Sequence, residues 1–324
     1  MSTKEKVLEL FESSRDVYLS GEDIAHKLSI SRSSVWKAVK TLQNEGYAID
    51  AVTNKGYCLS NQTDILSAQG IRKYLRSEIQ NMEICVTDIV ESTNVSVRDK
   101  ANMGKPEGYM ILANEQTAGR GRLSRSFFSP KDTGVYMSLL LRPGNYSAKQ
   151  AVRITTMAAV AMCEAIETVS DEKAEIKWVN DIFVHGKKVC GILTEGSFNL
   201  ESGLLDYVVL GVGINVYQPK DGFPDELSSV AGAVFEKKQN DVKNRLVSTF
   251  LNRFYDYYSA ADQMDYVEQY RNRSFVIGKQ VTLMLFNESK KAIVVGIDNE
   301  CRLLVKYPDG TEDCYSSGEI SMCF

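Results

Sequence analysis

Four short stretches carry residues able to do chemistry. Residues 115–130, EQTAGRGRLSRSFFSP, gather three arginines, three serines and two glycines with hardly an aliphatic side chain. That composition rules out a core strand, and each glycine costs a helix about 1 kcal/mol relative to alanine. Such a loop offers backbone N–H groups at Gly119 and Gly121 and guanidinium forks at Arg120, Arg122 and Arg125, a set suited to phosphate or an adenylate. It lacks the GxxxxGK[ST] pattern of a Walker A loop. Gly-Arg runs also occur in disordered RNA-binding tails; the strands expected on either side favour a folded loop here. The second stretch is IKWVND followed by GKKVCGIL, which brings Lys177, Lys187 and Lys188 near a hairpin with Asn180 and Asp181 between them. Strict alternation puts Lys188, Cys190 and Ile192 on one face, opposite Val189, Gly191 and Leu193. Lys188 is then either a site cation or a strand-end lysine that snorkels to water. The third, GVGIN (211–215), closes an apolar strand with two glycines, for close ligand approach or for tight packing. The fourth, Glu91–Asn94, opens a helix, as an N-cap cluster or as polar groups lining a pocket.

The rest of the chain narrows the chemistry. Its 324 residues suffice for two or three domains, and 44% hydrophobic with 25% charged residues marks a globular protein. Seven cysteines form no CxxC pair, as expected of reduced thiols in a cytoplasmic protein. Only His26 and His185 are present, which argues against a His-rich zinc site or a Ser-His-Asp triad. The N-terminus has no apolar signal region and no run is long enough to span a bilayer, so no membrane partner is expected. A net charge of −4 excludes a general nucleic-acid binder; any DNA footprint must be local.

A local footprint is legible in residues 1–63. Val7, Leu8, Leu10 and Phe11 mark a first helix and GEDIAHKL a second. In SRSSVWKAVKTLQNEG, Ser31 is a candidate N-cap, Val35, Ala38, Val39 and Leu42 recur at helical spacing, and Gly46 ends the helix. The remaining positions present Arg32, Ser33, Ser34, Trp36, Lys37 and Lys40 to solvent. A hairpin around Asn54-Lys55-Gly56 follows, with Lys55 at its tip. This pattern predicts a winged helix-turn-helix contacting DNA through Arg32, Ser33, Ser34, Lys37, Lys40 and Lys55; a small helical protein-interaction domain would show the same core. Trp36 could touch DNA or pack on a neighbour. Beyond residue 63, strands mix with helices through residue 272, predicting an α+β central domain with a mixed sheet. Residues 273–324 read as short strands with turns at Phe286-Asn287, Asp298-Asn299 and Pro308-Asp309-Gly310, a small SH3-like β-barrel.

In this order, ESTN, QTAGRGRLSRSFFSP, KWVND with KKVCGIL, GVGIN and a C-terminal GEIS resemble the biotin–protein ligases. With the winged helix, the resemblance is to the bifunctional ligases that also repress biotin genes, and it covers essentially the whole chain. Three departures stand out: Ser124 for a glycine and Phe127 for a tryptophan in the loop, and Val179 for a proline. The resemblance implies that Ser92, Thr93, Asn94 and Gln116 hold the biotin bicycle. It implies that Arg120, Gly121 and Arg122, with Gly119 and Arg125, fold over biotin and the adenylate. Lys188 would lie beside the carboxylate and the α-phosphate, with Arg122 the second catalytic group. Trp178, Asn180, Asp181, Gly191 and Asn215 would complete the pocket. The implied reaction uses ATP with Mg²⁺, without a metal site in the protein, to make biotinyl-5′-AMP and pass biotin to a lysine of a biotin carboxyl carrier domain. The adenylate would also be the corepressor, promoting a homodimer on operator DNA.

The residues suit that chemistry, since neither step needs a nucleophile from the enzyme, while both need cations and N–H donors on phosphate oxygens. Two rivals remain at this stage. A lipoate–protein ligase would share the catalytic fold but not the GRGR loop or winged helix; a sensor without catalysis would have no use for Lys188.

Overall fold

The computed structural model describes the chain apart from residues 145, 148–149, 200, 202, 261–264, 286–287 and 323–324. The expected turn at Phe286-Asn287 and the thiol of Cys323 lie outside the described residues. Two compact units emerge: residues 1–80 with 237–249, and residues 81–236 with 250–324.

The first unit opens with α1 (Thr3–Glu12), which begins in a capping box made by Ser2 and Glu5. Helices α2 (Gly21–Leu28) and α3 (Arg32–Asn44) follow, and Ser31 caps α3 by accepting from Ser34 N at 3.1 Å. Val35, Ala38, Val39 and Leu42 meet Val7, Leu8, Phe11 and Ile24 in one core. The wing is β1 (Ile49–Val52) paired antiparallel with β2 (Gly56–Leu59), around a loop that puts Lys55 at its tip. Gly56 has φ +104°, and a Cβ there would stand 2.1 Å from the Leu19 carbonyl oxygen, so only glycine fits.

Residues past 63 belong to the same unit. Helix α4 (Ala68–Arg72) and residues 237–249 join it through a nearly dry ionic cluster. Arg15 donates to Glu12 at 2.8 Å and pairs with Asp241 at 2.9 Å; Lys73 reaches Glu12 at 3.1 Å and Asp241 at 3.0 Å. Tyr74 also donates to Asp241, at 2.7 Å.

The second unit is built on a seven-stranded sheet. Its first elements are β3 (Ile84–Val90), α5 (Thr93–Asn102), β4 (Met110–Gln116), β5 (Gly134–Leu141) and α6 (Ala151–Ser170). They are followed by β6 (Glu175–Lys177), β7 (Asp181–Val184), β8 (Lys187–Phe198) and β9 (Leu205–Asn215). The strand order is β3-β4-β5-β9-β8-β7-β6, with β3 and β4 parallel and all other neighbours antiparallel. The mixed sheet is therefore as expected. The run IKWVNDIFV divides at Trp178–Asn180 into β6 and β7, which pair as a tight hairpin with Lys177 opposite Asp181. Helix α5 covers one face; α6 covers the other, where Thr155 and Thr194 hydroxyls meet at 2.7 Å.

Three further helices follow: α7 (Asp225–Ser228), α8 (Val242–Ser259) and α9 (Tyr266–Arg273). Helix α9 has no clear sequence signal. Its Tyr270, fully buried, donates to the Val179 carbonyl at 3.0 Å and braces the β6–β7 turn. The last five strands are β10 (Gln280–Leu285), β11 (Glu288–Ile297), β12 (Leu303–Lys306), β13 (Glu312–Tyr315) and β14 (Glu319–Met322). They form an all-antiparallel sheet of order β13-β12-β11-β10-β14, bent by a bulge between Val294 and Gly296. The expected barrel is thus an open sheet of the SH3-like kind, with no ladder between β13 and β14 among the described residues.

Candidate active site

One cleft of about 340 Å³ lies in the second unit, over the face of the sheet that α5 shares. Of the residues singled out from sequence, it is lined by Ser92, Thr93, Asn94, Gln116, Arg120, Gly121, Arg122, Arg125, Trp178, Asn180, Asp181, Lys188 and Gly191. Two do not line it. Gly119 sits at the base of the loop, where its carbonyl accepts from Phe127 N at 2.8 Å. Asn215 turns away and donates to the Gly232 carbonyl at 3.0 Å, because the β9 strand end is tied to that segment.

The polar end of the cleft is a connected network. Gln116 accepts through Oε1 from Thr93 N at 2.9 Å and donates through Nε2 to Ser129 Oγ at 2.9 Å. Ser138 Oγ lies 2.8 Å from Thr93 Oγ1 and 2.6 Å from Asn94 Oδ1, while Asn94 Nδ2 donates to Glu195 at 2.7 Å. Ser138 was not expected, although a lone hydroxyl within the apolar run GVYMSLLL signals a buried partner. The glycines of GVGIN explain themselves here. A Cβ on Gly211 would stand 2.0 Å from Asn94 Oδ1, and one on Gly213 would stand 2.6 Å from the Phe127 ring. Gly191, the register partner of Gly213, completes the seat under Phe127, with 3.3 Å of clearance. Tight packing of site side chains, rather than bare backbone, is what these glycines supply.

The cationic end departs from simple alternation. Ile182 pairs with Cys190 but Phe183 with Lys188, so Val189 is an extra residue in a β-bulge. The bulge places Lys188 with Gly191, whose Cβ would lie 3.5 Å from Lys188 Cε, and sends Cys190 to the opposite, buried face. Lys188 is neither free nor snorkelling: its Nζ stands 2.7 Å from Asp181 Oδ1. Lys177 also lines the cleft, although the resemblance assigns it no role; burial lowers its pKa, partly offset by Asp181 and reinforced by Lys188.

The loop is folded. Gly121 N donates to the Arg125 carbonyl at 2.7 Å, and Leu123 and Ser124 both adopt left-handed backbone, φ +54° and +61°. Arg122 donates to Asn180 Oδ1 and to the Gly318 carbonyl, each at 3.0 Å, and Arg125 pairs with Glu319. GEIS is thereby the clamp on the loop's outer edge. Trp178, although it lines the cleft, spends its only donor on the Cys301 carbonyl at 3.0 Å.

In the first unit, Arg32, Ser33, Lys37, Lys40 and Lys55 are exposed and Ser34 is half-buried. They occupy the outward side of α3 and the wing tip.

The sequence matches three known families: an HTH domain over residues 3–58, the Biotin/lipoate A/B protein ligase family over 86–215, and the Biotin protein ligase C terminal domain over 276–322. It is 33% identical over 319 residues to the bifunctional ligase/repressor BirA of Bacillus spizizenii, covering 97% of each chain. To the bifunctional ligase/repressor BirA of Escherichia coli it is 25% identical over 307 residues, covering 94% of this chain and 92% of that one. The fold is similar to that of a biotin protein ligase from Aquifex aeolicus solved with biotin and ATP, with TM-score 0.62 and 24% identity over 74% of this chain and 98% of that one. Three domain matches in one order and a relative alike from end to end place the chain in the biotin protein ligase family, among its bifunctional ligase/repressors.

Proposed function

We propose that this protein joins biotin to a lysine of a biotin carboxyl carrier domain, and represses transcription when it holds the intermediate. In the first step the biotin carboxylate oxygen bonds to the α-phosphorus of ATP, and the bond to the pyrophosphate oxygen breaks. In the second, the carrier's lysine amine bonds to the acyl carbon of biotinyl-5′-AMP, and AMP leaves with the acyl C–O electron pair.

The observation that carries this reading is the convergence of the polar network, the Gly/Arg loop and the Lys188–Asp181 pair in one cleft. Ser92, Thr93, Asn94 and Gln116 line the cleft and would supply donors and acceptors, as a ureido ring demands, with buried Ser138 fixing Thr93 and Asn94 from behind. Lys188 and the loop's arginines, Arg120, Arg122 and Arg125, line the cleft and would face the place where charge grows on phosphate oxygens, where fixed cations and dipoles act without reorganisation. The loop then shields a mixed anhydride from water. Mg²⁺ neutralises charge on the triphosphate. That ion is proposed to be carried by phosphate oxygens and water.

The outward side of α3 and the wing are proposed to bind operator DNA. A domain with few cations gains affinity by pairing on two half-sites, so the adenylate-loaded protein is proposed to dimerise there, in the cytoplasm. No helix among the described residues is long and apolar enough to cross a membrane. The test incubates the protein with ATP, a carrier domain and either biotin or lipoate, then weighs the carrier. A mass increase by one biotinyl group is expected; no increase, or a lipoyl adduct, overturns the assignment.

A further inference from the structure

We infer that Trp36 reads thymine methyl groups in the operator, as the apolar centre of an otherwise polar recognition surface. Helix α3 carries two stripes at the same helical spacing. Val35, Ala38, Val39 and Leu42 fill the core. Ser33, Trp36, Lys37 and Lys40 repeat the same i, i+3, i+4, i+7 pattern one face over, where Ser33, Trp36, Lys37 and Lys40 are all exposed. Trp36 is 53% exposed, whereas the chain's other tryptophan, Trp178, is 3% exposed. More than half of the indole faces water, one helical turn from Arg32 on one side and from Lys40 on the other. Its helix neighbours suit a surface that closes on an anion, since Arg32 precedes it in the first turn, and the same domain's wing carries a further exposed cation, Lys55.

Charge and position select the occupant. The cations flanking Trp36 can lie on phosphates, which fixes register without reading sequence. Trp36 is the fifth residue of the thirteen-residue helix, in the half that meets base edges when such a helix enters the major groove. A flat apolar ring there is complementary to one base feature, the C5 methyl of thymine, the only apolar group the groove displays. Ser33 and Ser34, beside it, can donate to or accept from either base-pair type and so add little discrimination of their own. Specificity for thymine at a defined step therefore rests on Trp36.

This inference depends on the DNA-binding reading above, and the experiment separates the two. The full-length protein, loaded with biotin and ATP, selects duplexes from a randomised library, and binding to the selected duplex is compared with binding to random duplex. Each thymine of the selected site is then replaced in turn by uracil, which removes only the methyl. For the native protein, one or two positions are expected to lose about fourfold in affinity, the worth of one buried methyl. Trp36→Ala is expected to bind the selected site at least tenfold more weakly, to bind random duplex as before with an unchanged salt slope, and to be indifferent to uracil at those positions. Trp36→Phe keeps an apolar ring and is expected to retain part of the uracil sensitivity. A flat uracil scan with the native protein, or equal losses by Trp36→Ala on selected and random duplex, overturns the inference while leaving DNA binding in place. If the loaded protein enriches no duplex at all, the DNA-binding reading falls and this one with it.

Discussion

Gly213 and Gly191 face each other across β9 and β8, on the same side of the sheet, yet alanine should have very different effects at the two. At Gly213 the new Cβ would stand 2.6 Å from Phe127 Cε1 and 2.8 Å from Cζ, whereas at Gly191 the tightest approach is 3.3 Å. Carbon–carbon contacts are comfortable at about 3.6 Å, so Gly213→Ala must push the ring by about 1 Å and Gly191→Ala by a few tenths. The backbone at Gly213 cannot yield, because it is paired on both sides, with Tyr136 and with Gly191. Phe127 therefore moves, and it is not an isolated side chain. Its amide donates to Gly119, its carbonyl accepts from Ser129, and Ser129 accepts from Gln116, which holds Thr93. A displacement of about 1 Å in groups that position a substrate is worth about 10²-fold in rate. Gly213→Ala is expected to lower biotin-dependent pyrophosphate release by about that factor, with a stability loss of about 1–3 kcal/mol from overpacking. Gly191→Ala is expected to stay within about threefold of the native rate, since it asks the same ring to shift by only a few tenths of an ångström. Pyrophosphate release and urea denaturation on both variants decide the matter. Equal activity of the two, in either direction, refutes the argument that Phe127 and its glycine seat set the cleft.

Lys188→Ala is expected to slow adenylate formation by about 10²-fold or more while leaving biotin binding largely intact, since it removes a donor from the site of charge development; a normal rate of pyrophosphate release counts against a catalytic lysine. Arg122→Ala loses the bonds to Asn180 and Gly318, and the adenylate should leave about tenfold faster, read by stopped-flow fluorescence, with an unchanged off-rate removing the lid from the mechanism. In the first unit, Glu12→Gln breaks an ion cluster whose Glu12, Arg15 and Asp241 side chains are 1%, 5% and 6% exposed, and a loss of about 3 kcal/mol is expected on denaturation. A chain beginning at residue 64 removes both Glu12 and Arg15 from Lys73 and Asp241; it should lose DNA binding but also melt earlier, and an unchanged melting point for both variants speaks against the cluster's role. Burial holds the Lys177 pKa below its ordinary value, so the folded protein sheds that proton first, and stability rises with pH between the lowered and the ordinary value. An incoming phosphate reverses the shift, so ATP binding in that alkaline window should take up protons. Binding heats in two buffers of different ionisation enthalpy should differ for the native protein and converge for Lys177→Met; equal heats for the native protein refute the coupling.

Much of this arrangement is legible in the sequence, for reasons that are physical. The α3 core stripe, its Ser31 cap and the wing turn at Gly56 are local, and local rules name them correctly. The four stretches that meet in the cleft are each distinctive in residue type, so their convergence could be expected before their distances were known. What escapes is whatever one residue of register decides. Alternation cannot foresee an inserted residue, so Val189 reversed the expected faces of Gly191 and Cys190. Nor does residue type announce left-handed backbone at Leu123 and Ser124, where the family's usual glycine at 124 would sit without strain. Asn215 looked like a ligand because it ends GVGIN; its amide is consumed by Gly232, a partner that only the tertiary fold supplies.

The bulge at Val189 has a chemical consequence apart from register. A mixed anhydride is an acylating reagent, and the protein that makes it must survive its company. Under plain alternation the Cys190 thiol would share the face of Lys188, within a residue or two of the activated carbonyl. Instead it is fully buried on the other side of the sheet, where desolvation pushes its pKa up and suppresses the thiolate that would react. One added residue thus spares the protein a thioester with its own substrate.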